Sequence, residues 1–409
     1  MAKKGRKIYR AGTYQKRRRL KSIFRGFLSV IAVGALIFVG YSVGKPIIKY
    51  LEEGNEITES EPWTPPVTTD LIEENNITSV FDNETKDVST NETSAIVSTI
   101  ENNTDGFTSL ILPEDALGNP TLFANQIKQA KTDGYTAVSV TLKAKGGKVF
   151  YKTDSEMAAL DENAIVGNMP IMQITSMIKN SGLKMIAEIN ALEDNNRYGE
   201  YRDGSYHMLD GSTWLDAAVN MGGKPWLSPF EDETKEYIRF LTEEAVKAGF
   251  DYVTISGLKF PDFRNSDLNY IGNSVKDTNR YKSLIQLADI AKTTAEENNC
   301  KFFLRLNAAD IIYDKCEVFK PNELNDYCLL IDYNPAEINE SIIKGSNEIP
   351  VSELKPDEKF KIIFLIIKEK CTDDNSIIPV ISENGLNHAD YDNLIKEIVS
   401  EGYSSFFVK

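Results

Sequence analysis

Gly249-Phe250-Asp251-Tyr252-Val253-Thr254-Ile255-Ser256-Gly257-Leu258-Lys259-Phe260-Pro261 decides how this chain of 409 residues is read. The run before it, Glu233 to Lys247, repeats Ile238, Leu241, Ala245 and Val246 at helical spacing, and Gly249 closes that helix. Tyr252 to Leu258 is short and apolar, as a parallel strand covered on both faces must be, and Pro261 stops it. Helix, glycine, strand and loop in this order belong to an α/β barrel or an open parallel sheet.

Working outward, about 300 residues from Ser109 onward alternate apolar strand-like runs with helical patterns, the length of one (β/α)8 TIM-like barrel with insertions. The expected strands are Ser109 to Leu112, Ala137 to Lys143, Lys184 to Asn190, Tyr252 to Leu258, Lys301 to Asn307, Tyr327 to Asp332, Lys361 to Ile367 and Ser404 to Val408. Ile377 to Ile381 is an alternative, as a ninth strand or the true eighth. Helical patterns fill most gaps, notably Thr121 to Thr132, Met172 to Asn180, Asp277 to Asn298 and Tyr391 to Glu401. An open doubly wound sheet is the competing fold. No Gly-x-Gly-x-x-Gly follows the first strand, so a dinucleotide cofactor has no support, and no other cofactor is expected.

Several short motifs, in order, resemble those of a bacterial glycosyl hydrolase-like domain family of formally unknown function, regarded as an α-amylase-like TIM barrel. Ile255-Ser256-Gly257-Leu258-Lys259-Phe260-Pro261 stands where that family ends a strand with Phe-Asp-Tyr-Ile-Arg-Phe-Pro; the basic residue and Phe-Pro remain, and the aspartate has become Ser256. Ala137 to Tyr151 is similar to its Val-Ile-Asp-Val-Lys-Asp segment, with Lys143, Gly147 and Tyr151 in place and Thr141 at the aspartate. Ile186-Ala187-Glu188-Ile189, Asp194, Lys224-Pro225-Trp226-Leu227-Ser228-Pro229 and Ala308-Ala309-Asp310 complete the likeness, which spans about residues 109 to 335.

The resemblance implies a sugar-cleaving site with its nucleophile at position 256 and its acid at Asp310. Glycosidases need a pair of carboxyl groups, about 5 Å apart in retaining enzymes and further apart in inverting ones. A serine supplies no half of such a pair without an activating base. The sequence therefore reads as a retired or retasked active site, since an inherited fold does not carry activity with it.

Barrel sites form at the C-terminal strand ends, where Glu188, Asp194, Asp310 and Asp332 fall. The candidate catalytic acids are Asp310, Glu188 and Asp194, although Glu188 reads more readily as an ion-pair partner of Lys143, Lys259 or Arg305, because a lone buried carboxylate is costly. Asp332 is equally suited to capping the Asn334-Pro335 turn. Between the third and fourth strands, Asn195 to Glu231 carries Tyr198, Tyr201, Tyr206, His207, Trp214, Trp226 and Phe230. Aromatic faces stack on sugar rings, but more than half of these should simply pack the insertion onto the barrel. Trp226, held between prolines, is the best stacking candidate; Lys143, Lys259 and Tyr151 join it as candidate substrate-binding residues.

The first 25 residues hold eleven Lys or Arg and no acid, and Gly26 to Gly44 then runs nineteen residues without a charge. At about 1.5 Å per residue this approaches the ~30 Å hydrocarbon core. The expectation is a single-pass transmembrane helix with residues 1–25 cytoplasmic and the bulk of the chain outside. A signal peptide cleaved after Ser42-Val43-Gly44 is the rival, but its apolar region is usually only ~7–15 residues. Residues 45–108 form an acidic linker rich in Ser, Thr and Asn, with fourteen acids and only Lys86 as a base between 52 and 107. Its Asn-x-Thr sequons at Asn76, Asn83, Asn91 and Asn102 follow from that composition. Residues 109–409 are the barrel.

Without the basic arm, 35 Lys and Arg face 61 Asp and Glu, a formal charge of −26. Such a domain repels nucleic acid and polyanions and suits neutral or cationic ligands. Four cysteines, Cys300, Cys316, Cys328 and Cys371, permit two disulfides outside the membrane but read most simply as buried apolar residues. With no Cys-x-x-Cys and only His207 and His388 as histidines, no zinc or redox site is expected. Three functions follow from these readings. The first is a membrane-anchored, catalytically degenerate module binding a cell-envelope or environmental glycan. The second is an active glycoside hydrolase using Asp310 with Glu188 or Asp194. The third is a structural or assembly protein of the cell envelope.

Overall fold

The computed structural model describes residues 106–409 except 156–163, 196–203, 273, 315–319, 345–346 and 383–384. The basic arm, the Gly26 to Gly44 run and most of the linker lie outside the described residues, as do Tyr198, Tyr201 and Cys316. Among the described residues no helix is long and apolar enough to cross a membrane.

Eight parallel strands close into a barrel: β1 (Thr108–Ile111), β2 (Ala137–Lys143), β3 (Lys184–Asn190), β4 (Tyr252–Ser256), β5 (Lys301–Asn307), β6 (Cys328–Tyr333), β7 (Ser376–Ile381) and β8 (Phe406–Val408). β8 pairs with both β7 and β1, so no edge strand remains. The principal outer helices are α1 (Pro120–Thr132), α2 (Ile171–Ser181), α3 (Asp232–Lys247), α4 (Tyr281–Glu296), α5 (Ala308–Tyr313), α6 (Pro356–Lys370) and α7 (His388–Ser400). Local chemistry sets their ends. Asn119 caps α1 by accepting from the N–H groups of Thr121 and Leu122, with Pro120 in the first turn. α3 ends at Lys247, and Gly249 follows at φ +91, a left-handed conformation that costs glycine little.

The seventh strand corrects the sequence reading. Lys361 to Ile367 is not a strand; it lies inside α6. Phe360, Ile363, Phe364 and Ile367 recur at helical spacing and are buried, while Leu365 between them is 52% exposed. Pro356 opens the helix and Glu358 accepts from the Lys355 N–H. A short continuous apolar run carries no period that separates the two states. The strand position is filled by Ser376–Ile381, the stretch that first offered itself as an alternative.

Inside the barrel, Phe107, Ala137, Ile186, Tyr252, Phe303, Leu330, Val380 and Phe407 pack together near the N-terminal end. Four of them form a ring of aromatics, with centroids 5.4 Å apart for Phe107 and Tyr252, 4.9 Å for Tyr252 and Phe303, 6.0 Å for Phe303 and Phe407, and 5.7 Å for Phe107 and Phe407. The lumen is therefore a packed core at this end, and the polar groups gather at the other.

Cys300, Cys328 and Cys371 are free thiols. Burial pushes Cys300 up to about 12 and Cys371 up to about 11, so both remain protonated and unreactive near neutrality.

Candidate functional site

A cavity of about 1230 Å³ opens over the C-terminal strand ends, its lining including Thr141, Glu188, Ser256, Lys259, Asp310 and Asp332. Strand register puts them there. Glu188 stands beside Thr254, Asn190 beside Ser256, and Asn307 beside Asp332. β4 stops at Ser256 because Gly257 turns at φ +68, and a Cβ on it would lie 2.5 Å from the Asn190 amide. Any other residue here would be strained and would push the Asn190 side chain aside.

The floor of the cavity is a charge-balanced chain. Arg305 on β5 donates to both oxygens of Glu188 at 2.7 and 2.8 Å and to Asp332 Oδ2 at 2.8 Å. Lys409 closes the chain, its Nζ 2.7 Å from Asp332 Oδ1. Burial pushes the Asp332 carboxyl up, but Arg305 and Lys409 together outweigh it and hold it below the usual carboxylate range. Burial likewise opposes the Arg305 charge, and its two carboxylates more than restore it, so its pKa is raised. Asp332 thus stays ionised, and both Glu188 oxygens are occupied.

A second pair lies deeper. Lys143 Nζ is 3.1 Å from Asp194, with both side chains almost wholly removed from solvent. The same ammonium donates to the backbone carbonyls of Asn190 at 2.7 Å and Ala191 at 3.3 Å, pinning the loop that leaves β3. Lys143 borders the cavity, whereas Asp194 lies behind its wall. Nearby, Lys145 pairs with Glu193 at 2.9 Å.

The remaining candidates separate. Asp310, in the first turn of α5, and Lys259 both line the cavity. Lys259 is half-buried and has neither an ion pair nor a hydrogen bond among the described residues. The structure places Tyr151 and Trp226 away from the cavity lining. The Tyr151 hydroxyl is buried and donates to Glu244 on α3 at 2.6 Å; burial first, then Glu244, raises its pKa well above the ordinary value. Trp226 is 8% exposed and its indole N–H donates to Asp216 at 3.3 Å. Tyr206, Trp214 and Phe230 of the same insertion pack with Phe260 and Phe263, and Trp214 donates to Asp267 at 2.9 Å. Their rings are core, as expected for most of that insertion.

Sequence reasoning passed over several lining residues, Lys409, Asn190 and Tyr281 among them. Lys409 reaches Asp332 across 77 residues of sequence, a pairing that only barrel closure reveals. Asn190 faces the cavity and its Oδ1 is buried without a hydrogen-bond partner. Tyr281, at the start of α4, brings a half-buried ring to the wall. The period-2 placement of Glu188 and Asn190 on β3 was the available signal for Asn190. Among the described residues no group of three His, Cys, Asp or Glu is placed to hold a metal ion.

Comparison of the sequence with curated proteins returned no match. Among solved structures, the chain is similar to the PgaB (BpsB) glycoside hydrolase domain from Bordetella bronchiseptica, at 14% identity over 74% of this chain and 93% of that one, TM-score 0.49. It is also similar to a hypothetical protein from Ruminiclostridium thermocellum ATCC 27405, at 15% identity over 48% and 96% of the two chains, TM-score 0.40. An alpha-galactosidase from Thermus thermophilus shows 10% identity over 74% and 61%, TM-score 0.45. Residues 109–308, from β1 into the start of α5, match the family described as "Putative glycosyl hydrolase domain", the family that the motifs of this chain resemble.

Proposed function

We propose that this glycoside-hydrolase-like barrel is held outside the cell membrane by a single N-terminal span and binds a cell-envelope or environmental glycan without cleaving it. The observation that carries the loss of cleavage is the pairing of Glu188 and Asp332 in the cavity and of Asp194 behind its wall. Glu188 and Asp332 share Arg305, Asp332 also holds Lys409, and Asp194 is bound to Lys143. A proton donor must be neutral before it acts, and Asp332 is held ionised. The usual nucleophile of a retaining glycosidase is a carboxylate, and positions 141 and 256 offer only hydroxyls. Asp310 remains in the lining, one half of a pair.

Binding makes lesser demands than cleavage. An open cavity with a few fixed polar groups and a flat apolar wall is enough to hold a saccharide. The test is a panel of α- and β-linked glycans offered to the purified full chain in detergent micelles, scored separately for binding and for release of reducing ends. The expected result is binding without turnover. Turnover that disappears in Asp310→Asn overturns the reading and establishes an active hydrolase, with Glu188 or Asp194 as the second group.

A further inference from the structure

We propose that the bound glycan carries an acidic substituent, a carboxylate or a phosphate, and that Lys259 is its counter-ion. The inference rests on the glycan-binding reading above and narrows its ligand class.

The charges on the floor of this cavity and in the wall behind it are matched from within. Arg305 and Lys409 answer Glu188 and Asp332, Lys143 answers Asp194, and Lys145 answers Glu193. Lys259 breaks the pattern, since it lines the same cavity with no ion pair or hydrogen bond among the described residues. Its strand-end neighbour Ser256 brings no charge. An ammonium partly withdrawn from water without an anion is destabilising, and an incoming anion removes that cost.

Two neighbouring lining residues describe the rest of the ligand. Asn190 Oδ1 is a buried acceptor without a donor, which a sugar hydroxyl supplies. The Tyr281 ring, over which Arg280 lies at 5.3 Å, brings aromatic surface to the same cavity for the C–H surface of a pyranose. Cation, acceptor and ring line one cavity and are the three kinds of group an acidic sugar engages. The rim carries Glu114 and Glu323 as well as Lys320, all exposed, and the chain has a net charge of −15. Long-range repulsion therefore works against dense polyanions and favours a glycan with sparse acidic groups.

The test is calorimetric titration of the full chain in detergent micelles with trigalacturonate, glucose 6-phosphate and maltotriose. At least one acidic probe should bind about tenfold or more tightly than maltotriose, the scale of one hydrogen bond to a charged group. Lys259→Met should erase that margin while leaving maltotriose binding in place, and Lys259→Arg should keep it. The tighter acidic probe distinguishes carboxylate from phosphate. Lys259→Gln removes the same charge should the methionine disturb packing. Equal binding of neutral and acidic probes, or a margin that survives loss of the Lys259 charge, overturns this proposal and leaves glycan binding standing. Failure of every saccharide to bind overturns both.

Discussion

Lys409 Nζ lies 2.7 Å from Asp332 Oδ1 and 2.9 Å from Oδ2, so the end of β8 is tied to β6 past the strand that separates them. With Arg305 reaching from Asp332 to Glu188, one chain of charges runs from β8 to β3 over the lumen.

Arg305 is the member that chain cannot spare. Its side chain is 11% exposed, with Glu188 and Asp332 at 13% and 19%. Arg305→Met should cost roughly 3–5 kcal/mol, because it leaves two buried carboxylates without their shared cation. Adding Glu188→Gln and Asp332→Asn should recover part of that loss. Urea unfolding followed by circular dichroism measures both; a loss within experimental error for Arg305→Met would show the chain to be dispensable.

The Asp332 shift sets a pH dependence. Its folded pKa is depressed, so the stabilisation is fully present above the unfolded value of about 3.9 and is lost as pH falls through the lower folded value. In Arg305→Met, burial is opposed by Lys409 alone, and the acid limb should move to higher pH. Melting temperatures taken from pH 7 down to pH 3 decide the point: superimposable limbs for wild type and variant contradict it.

Lys143 and Asp194 should behave as a structural couple. Either Lys143→Met or Asp194→Asn alone should destabilise by a few kcal/mol, and the two together should cost less than the sum of the single changes. A double-mutant cycle in the same unfolding assay reads the coupling. If Asp194→Asn leaves stability untouched but abolishes a measured glycosidase turnover, Asp194 belongs to chemistry instead.

The N-terminal anchor is open to direct test. The folded domain should stay with the membrane fraction through a high-salt wash and be released by protease added outside the cell, cutting within residues 52–107. Recovery of a soluble protein beginning near Lys45 would replace the anchor with a cleaved signal peptide.

What was legible in the sequence followed periodicity and local punctuation. β2, β3 and β5 lie where their apolar runs placed them, and Gly249 marks the end of α3. Lys361 to Ile367 misled because a run apolar on every side has no readable period, and its capping residues are what show it to be a helix. The site was half legible. Acids at strand ends could be nominated from position, and Arg305 was one of three cations named for Glu188, but closure of the barrel makes the choice: Arg305 meets Glu188 across 117 residues and Tyr151 meets Glu244 across 93. No local rule connects such residues. Trp226 illustrates the same limit, since its prolines announce a rigid loop but not which way the indole faces.

The aromatic ring of Phe107, Tyr252, Phe303 and Phe407 makes the barrel a blind well. Nothing can be threaded through it from pole to pole. A saccharide that reaches Lys259 arrives and departs by one mouth, so a long polymer can offer only a terminus or lie across the opening. Residence time on this face is then governed by the mouth, rather than by passage along the axis.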